Sequence, residues 1–232
     1  MILADFARAL GQFFDPRFMR VLLIGVALSL ALLFGVYAGF VQILDWLTPD
    51  TFTLPWVGEV TWVKDLLGWG SLALMIGLSV FLMVPVASAF TGLFLDDVAK
   101  AVEDRHYPGL PPAPRLPFFD VLIDSLNFFG LLVGVNILAL VAYGFVGPFA
   151  PLMFWAVNGY LLGREYFQMV AMRHLGRQAA KALRKQFSGR VWIAGILMAA
   201  PLSVPLVNLL IPVLGAATFT HLFHRLNGSA RR

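Results

Sequence analysis

Four stretches of this chain carry no Asp, Glu, Lys or Arg: Val21 to Leu44, Leu66 to Leu95, Ser125 to Gly163 and Val191 to His224. A helix needs roughly 20 apolar residues to cross a hydrocarbon layer of ~30 Å, and each run reaches that length. Across all 232 residues, 59% are hydrophobic and 13% charged, with a mean hydropathy of +0.81. That is too little charge to cover a water-soluble surface. A membrane β-barrel would show two-residue alternation instead. The expected class is therefore an all-α integral membrane protein, and with no cysteine it has no disulfide framework.

The charges between the runs set a layout. Ile2, Leu3, Phe6, Leu10, Phe13 and Phe14 recur at helical spacing, so residues 1–14 read as an amphipathic helix in the membrane interface. The stretch carries Asp5 and lacks a basic leading region, unlike a signal peptide. Asp15-Pro16 reads as an N-cap with proline at the first helical position, opening a spanning helix over 17–44. A second span is expected over 66–95, kinked at Pro85. Between them, Asp45, Asp50, Glu59 and Asp65 oppose one base, Lys64, beside Trp46, Trp56 and Trp62. That is an outer loop with an aromatic belt.

Residues 164–190 hold seven bases and one acid and read as a cytoplasmic helix. The tail with Arg225, Arg231 and Arg232 falls on the same side, so both termini are expected in the cytoplasm. The run 191–224 must then leave that side and return to it. Its 34 residues are too few for two crossings and a turn, and Pro201, Pro205 and Pro212 interrupt it. A half-penetrating (re-entrant) hairpin is expected here, and another over 121–163, broken at Gly147-Pro148. For 121–163, two tight spans stay open as an alternative. The expected fold is thus one multi-pass domain: an interfacial helix, two long transmembrane helices and two re-entrant hairpins.

No Walker loop, H-E-x-x-H, G-x-S-x-G or dinucleotide fingerprint is present, so no enzyme, cofactor or nucleotide-driven pump is expected. His221 and His224 make half a metal pair with no carboxylate or third histidine near in sequence, so they read as interfacial and no metal is expected. Asp96-Asp97 and Glu103-Asp104 read as a solvated helix face. The turn at Pro16, Arg17 and Arg20 combines a helix N-terminus with two guanidinium groups, which suits an oxyanion and equally suits a membrane anchor. Arg173, Arg177, Lys181 and Arg184 form a basic stripe, for anionic lipid or for an anion vestibule. Flanking membrane segments account for the basic surplus without nucleic acid. Asn158, Arg164, Glu165 and Asn208 are the polar exceptions expected to line a pathway.

Four stretches resemble the CysZ sulfate-permease family of etoposide-induced-protein-like membrane proteins. They are D-P-R-F-M-R at Asp15 to Arg20, S-A-F-T-G-L-F-L-D-D-V-A-K-A-V-E-D-R-H-Y-P-G at Ser88 to Gly109, G-Y-L-L-G-R-E-Y-F at Gly159 to Phe167, and P-L-V-N-L-L-I-P-V-L-G-A-A-T at Pro205 to Thr218. The resemblance implies a homo-oligomeric protein of the bacterial inner membrane that takes up sulfate without ATP for cysteine biosynthesis. It also implies a sulfate-binding turn of the form Pro-Gly-x-Arg-Arg. Pro16 and Arg20 match that turn, while Arg17 stands at the glycine and Met19 at the first arginine. The competing reading is a non-transporting scaffold or assembly protein whose broken hairpins pack against partner subunits.

Overall fold

Asp15 starts the first long helix as its position predicts. Its Oδ1 accepts the Arg17 backbone N–H at 3.0 Å, and Pro16 supplies the preset φ of a first helical residue. The computed structural model describes residues 2–47, 52–54, 58–60, 69–73, 76, 94–111, 113–114, 118–203 and 210–230. Within them lie α1 (Ile2–Gly11), α2 (Pro16–Leu47), α3 (94–106), α4 (Phe118–Val146), α5 (Ala150–Gln186), α6 (Ser188–Ala199) and α7 (Ile211–Ala230). Single 3-10 turns occupy Gly147–Phe149 and Ala200–Ser203. The chain divides into two units, residues 23–90 and the remainder.

In the first unit, the loop between the expected spans contains a short antiparallel ribbon, β1 (Phe52–Leu54) paired with β2 (Gly58–Val60). The helical reading did not anticipate it. Most of the expected 66–95 span, including Pro85, lies outside the described residues, as does Asn208.

Among the described residues, two stretches are long and apolar enough to cross a membrane: Pro16–Ile43, with mean hydropathy 2.5, and Leu126–Gln186, with 2.2. Only 6% of the most apolar window is buried in each. The core helix of a soluble protein would hide such a surface, whereas a helix in hydrocarbon leaves it exposed as here. On α4, Phe129, Leu138, Leu140 and Phe145 are all exposed. The α4–α5 break falls at the expected Gly147-Pro148, where Gly147 takes a φ of +52°. At 29 residues α4 is ~43 Å long, so length admits both the hairpin and the tight pair of spans left open by the sequence. α6, with 12 residues, is ~18 Å long and cannot cross alone.

The second unit has its core where α1, α3, α7, the start of α2 and residues 166–172 of α5 meet. Phe18, Val98, Val102, Phe167, Val170, Phe219, Leu222, Phe223 and Leu226 are buried there, with Tyr166 stacked on Phe219 at 5.9 Å. α1 turns Asp5, Ala9 and Gln12 toward this core. Asp5 pairs with Arg225, and Gln12 donates to the Ala101 carbonyl at 3.2 Å. Leu3, Leu10 and Phe14 stay exposed, as an interfacial helix requires.

The basic stretch 164–190 is helical but broken within, and it forms the tip of a helical hairpin. Gly176 has φ +72° and ψ 172°, a backbone state essentially confined to glycine, and it splits α5 into 150–175 and 177–186. Gln168 and Arg184 would stand ~24 Å apart along a continuous helix, yet Arg184 Nε donates to Gln168 Oε1 at 3.2 Å. Farther from the tip, Gly163 faces Val191 and Gly159 faces Ile196, so α6 continues the returning arm. The arms approach so closely that a Cβ on Gly195 would sit 1.8 Å from the Gly159 carbonyl oxygen. Small residues at such a contact are the usual device for close helix packing in lipid.

Candidate functional site

The Asp15–Arg20 turn is held on one side and open on the other. Arg17 Nη1 pairs with Asp104 Oδ2 at 2.7 Å, and Lys100 reaches the same carboxylate at 2.9 Å. These two cations hold the Asp104 carboxyl below its usual range. Arg105 lies 3.7 Å from Asp15. Arg20 is exposed, and it has no ion-pair partner among the described residues. The two arginines therefore do not converge as an equal pair: Arg17 is engaged by α3 and Arg20 is available.

Beside the Gly176 tip, α4 and the two halves of α5 enclose a cavity of about 430 Å³. At ~30 Å³ per water, it has room for a small anion with much of its hydration shell. Its lining includes Arg164, Arg177, Lys181 and Arg184 against Asp124 and Glu165, a formal surplus of two positive charges. Arg177 Nε lies 3.4 Å from Asp124 Oδ1, and Arg184 Nε donates to the neutral Gln168 amide with no ion pair among the described residues. Arg164 and Lys181 have no ion pair among the described residues. Asn127, Gln168 and Gln178 add amides able to donate to or accept from a ligand. Such a lining favours an oxyanion, through field and through charge-assisted hydrogen bonds.

Of the pathway candidates, Arg164 and Glu165 line this cavity. Asn158 is half-buried and its Nδ2 donates to the Phe154 carbonyl of its own helix at 2.9 Å. Asp124, Gln168 and Gln178 were not singled out from sequence. The available signal was Gly176, a lone glycine inside a basic helical pattern, where a break brings distant polar residues together.

The expected four-residue basic stripe does not form, because its first member lies before the Gly176 break. Arg173 is buried and turns to α3, with Nε 2.8 Å from Asp96 Oδ1 and Nη1 3.0 Å from Glu103 Oε1. Glu103 is thus no solvated-face residue. His174 Nε2 at 2.8 Å and His224 Nε2 at 3.1 Å meet the same oxygen. Burial alone would raise the Glu103 carboxyl. The hydrogen bonds from both histidines and the charge of Arg173 outweigh that and bring it down to about 2. His221 is fully buried, with Nδ1 2.9 Å from the Tyr107 hydroxyl. Both α7 histidines therefore sit inside the protein rather than at an interface, with a carboxylate and a third histidine delivered by distant segments.

Compared with known protein families, residues 5–212 match the model described as sulfate transporter CysZ/etoposide-induced protein 2.4. No curated protein matches the chain.

Proposed function

This chain belongs to that family, and from that premise we propose that it is an ATP-independent channel or permease for sulfate or a related small oxyanion. The observation that carries the reading is the basic cavity at the Gly176 tip, within a protein whose long helices require lipid. A sulfate entering protein loses hydration and needs fixed charge and donors in return. Arg164, Lys181 and Arg184 offer both, and none of the three forms an ion pair among the described residues. Arg177, beside Asp124, adds to the field that gathers anions at the mouth.

The Asp15–Arg20 turn is a second anion contact in this reading, with Pro16 opening the helix and Arg20 as the gripping residue. Arg17 is already drawn to Asp104, so it contributes field more than hydrogen bonds. Flux follows the anion gradient and is sustained by consumption of sulfate in cysteine synthesis. The protein sits in the bacterial inner membrane as a homo-oligomer, with both termini and the 164–190 tip in the cytoplasm. The runs 121–163 and 191–224 enter the bilayer as re-entrant hairpins around the path, and Glu165, Asn158 and Asn208 belong to its polar lining.

The test is uptake of radiolabelled sulfate by proteoliposomes holding the purified protein. Transport predicts gradient-driven uptake above that of empty vesicles, without nucleotide. Uptake no greater than in empty vesicles, from well-inserted monodisperse protein, favours the scaffold. Within the transport reading, Arg20→Ala weakens sulfate binding about tenfold, and Arg17→Ala weakens it less. Unchanged binding in both variants would make the turn an anchor.

A further inference from the structure

We propose that Glu103, His174 and His224 form a binding site for a divalent transition metal of the zinc class. The three residues come from α3, α5 and α7, and their side chains are only 11%, 13% and 9% exposed. One ligand atom from each lies within 4.8 Å of the other two. Two imidazole nitrogens and one carboxylate oxygen are the protein ligands of a catalytic-type or open zinc site, leaving the fourth position for water.

The distances fit. Ligands at 2.0–2.1 Å from a tetrahedral ion stand ~3.3 Å from one another. Glu103 Oε1 is 2.8 Å from His174 Nε2 and 3.1 Å from His224 Nε2, so those two pairs open by a few tenths of an ångström around the ion, while the two histidine ligand atoms already lie within 4.8 Å of each other. The rings are already oriented. His174 stacks on Phe223 at 5.6 Å with 12° between planes, and His224 lies against the Tyr107 ring at 4.4 Å.

The hydrogen bonding points the same way. Three donors, from Arg173, His174 and His224, converge on the single oxygen Oε1, which has two lone pairs in its plane. A dication accepts both imidazoles and the oxygen together and removes that crowding. Arg173 Nη1 stays beside Oε1, and Asp96 Oδ1, 2.8 Å from its Nε, offsets the guanidinium charge next to the ion. Coordination needs each Nε2 free of its proton, so both imidazoles bind as Nδ1–H tautomers and uptake weakens as pH falls. Imidazole and carboxylate without thiolate suit zinc and its neighbours rather than magnesium or calcium. None of the three ligands lines the basic cavity, so the site clamps three helices and is separate from the anion reading.

The experiment takes the full-length, tag-free protein in detergent, strips it with chelator and titrates it with Zn²⁺ or Co²⁺ alone. The expected result is one equivalent bound, the ligand-field spectrum of four-coordinate Co²⁺, and a melting temperature raised by roughly 5 °C at saturating Zn²⁺. His174→Gln/His224→Gln lowers affinity at least tenfold, while His106→Gln leaves it unchanged. The proposal is overturned if wild-type protein takes up no stoichiometric metal, or if the double variant binds as tightly as wild type. Should the double variant not fold, X-ray absorption on the zinc-loaded wild type decides: two imidazoles in the shell support the site, and fewer refute it.

Discussion

Arg173 and Arg177 are one helical turn apart in sequence and live in opposite environments. Arg173 is buried and saturated, held by Asp96 and Glu103. Arg177 borders a cavity whose four bases outnumber its acids. Gly176 lies between them, and its φ of +72° turns the second half of α5 back along the first. One region pairs buried Arg173 with Asp96 and Glu103 and holds three helices together. The other leaves charge uncompensated, which stabilises no fold but attracts an anion. Arg173 thus serves the fold and Arg177 the cavity, with one glycine between them.

The largest effect should come from breaking the saturated side. Arg173→Ala leaves Glu103 and its neighbours inside the protein without their fixed cation, at a cost of about 3–5 kcal/mol. Thermal unfolding in detergent reads this directly. Arg177→Ala at the cavity should cost less than about 1 kcal/mol. Equal losses would erase the contrast.

Acid gives the next effect. The Glu103 carboxyl lies at about 2, below the ~4.5 of an unfolded glutamate. Its contribution is therefore fully present above pH ~4.5 and lost as pH falls through 2, on the order of 3 kcal/mol in all. Metal-free wild type should lose melting temperature steeply on acidification through this window, and Glu103→Gln should flatten the slope. Parallel curves would mean that Glu103 is not the group responsible.

Gly176→Ala should act more mildly on stability and directly on the divide. A Cβ there meets no atom within 4 Å, so the penalty is purely conformational, about 1–3 kcal/mol. Straightening the tip draws Arg184 away from Gln168 and disperses the cavity. Sulfate binding should fall even where the variant remains folded, and binding at wild-type strength would contradict the role given to the reversal.

How far the sequence reached follows the same divide. The charge-free runs at 21–44 and 125–163, the Asp15-Pro16 start and the Gly147-Pro148 break are local signals, and each appears as a helix or a helix boundary. Arg164 and Glu165 were legible as polar exceptions, and they line the cavity. What failed was long-range. The basic stripe presumes helical spacing across Gly176, which groups Arg173 with the wrong partners. Glu103 was assigned to water because its partners lie 70 to 121 residues away. His221 and His224 were read as interfacial for the same reason. The β1–β2 ribbon was missed in a loop judged by its charge and tryptophans rather than by strand pairing.

The most direct test of the account removes the cavity's uncompensated charge and leaves everything else in place. Arg164→Gln/Lys181→Gln/Arg184→Gln replaces each charge with a shorter, neutral side chain that still forms hydrogen bonds, and it should shift the melting temperature by only a few degrees. Initial rates of radiolabelled sulfate uptake are measured in proteoliposomes matched for inserted protein. The account predicts at least a tenfold loss relative to wild type. Uptake at the wild-type rate by the folded triple variant would contradict it, and the anion path would then lie away from the Gly176 cavity.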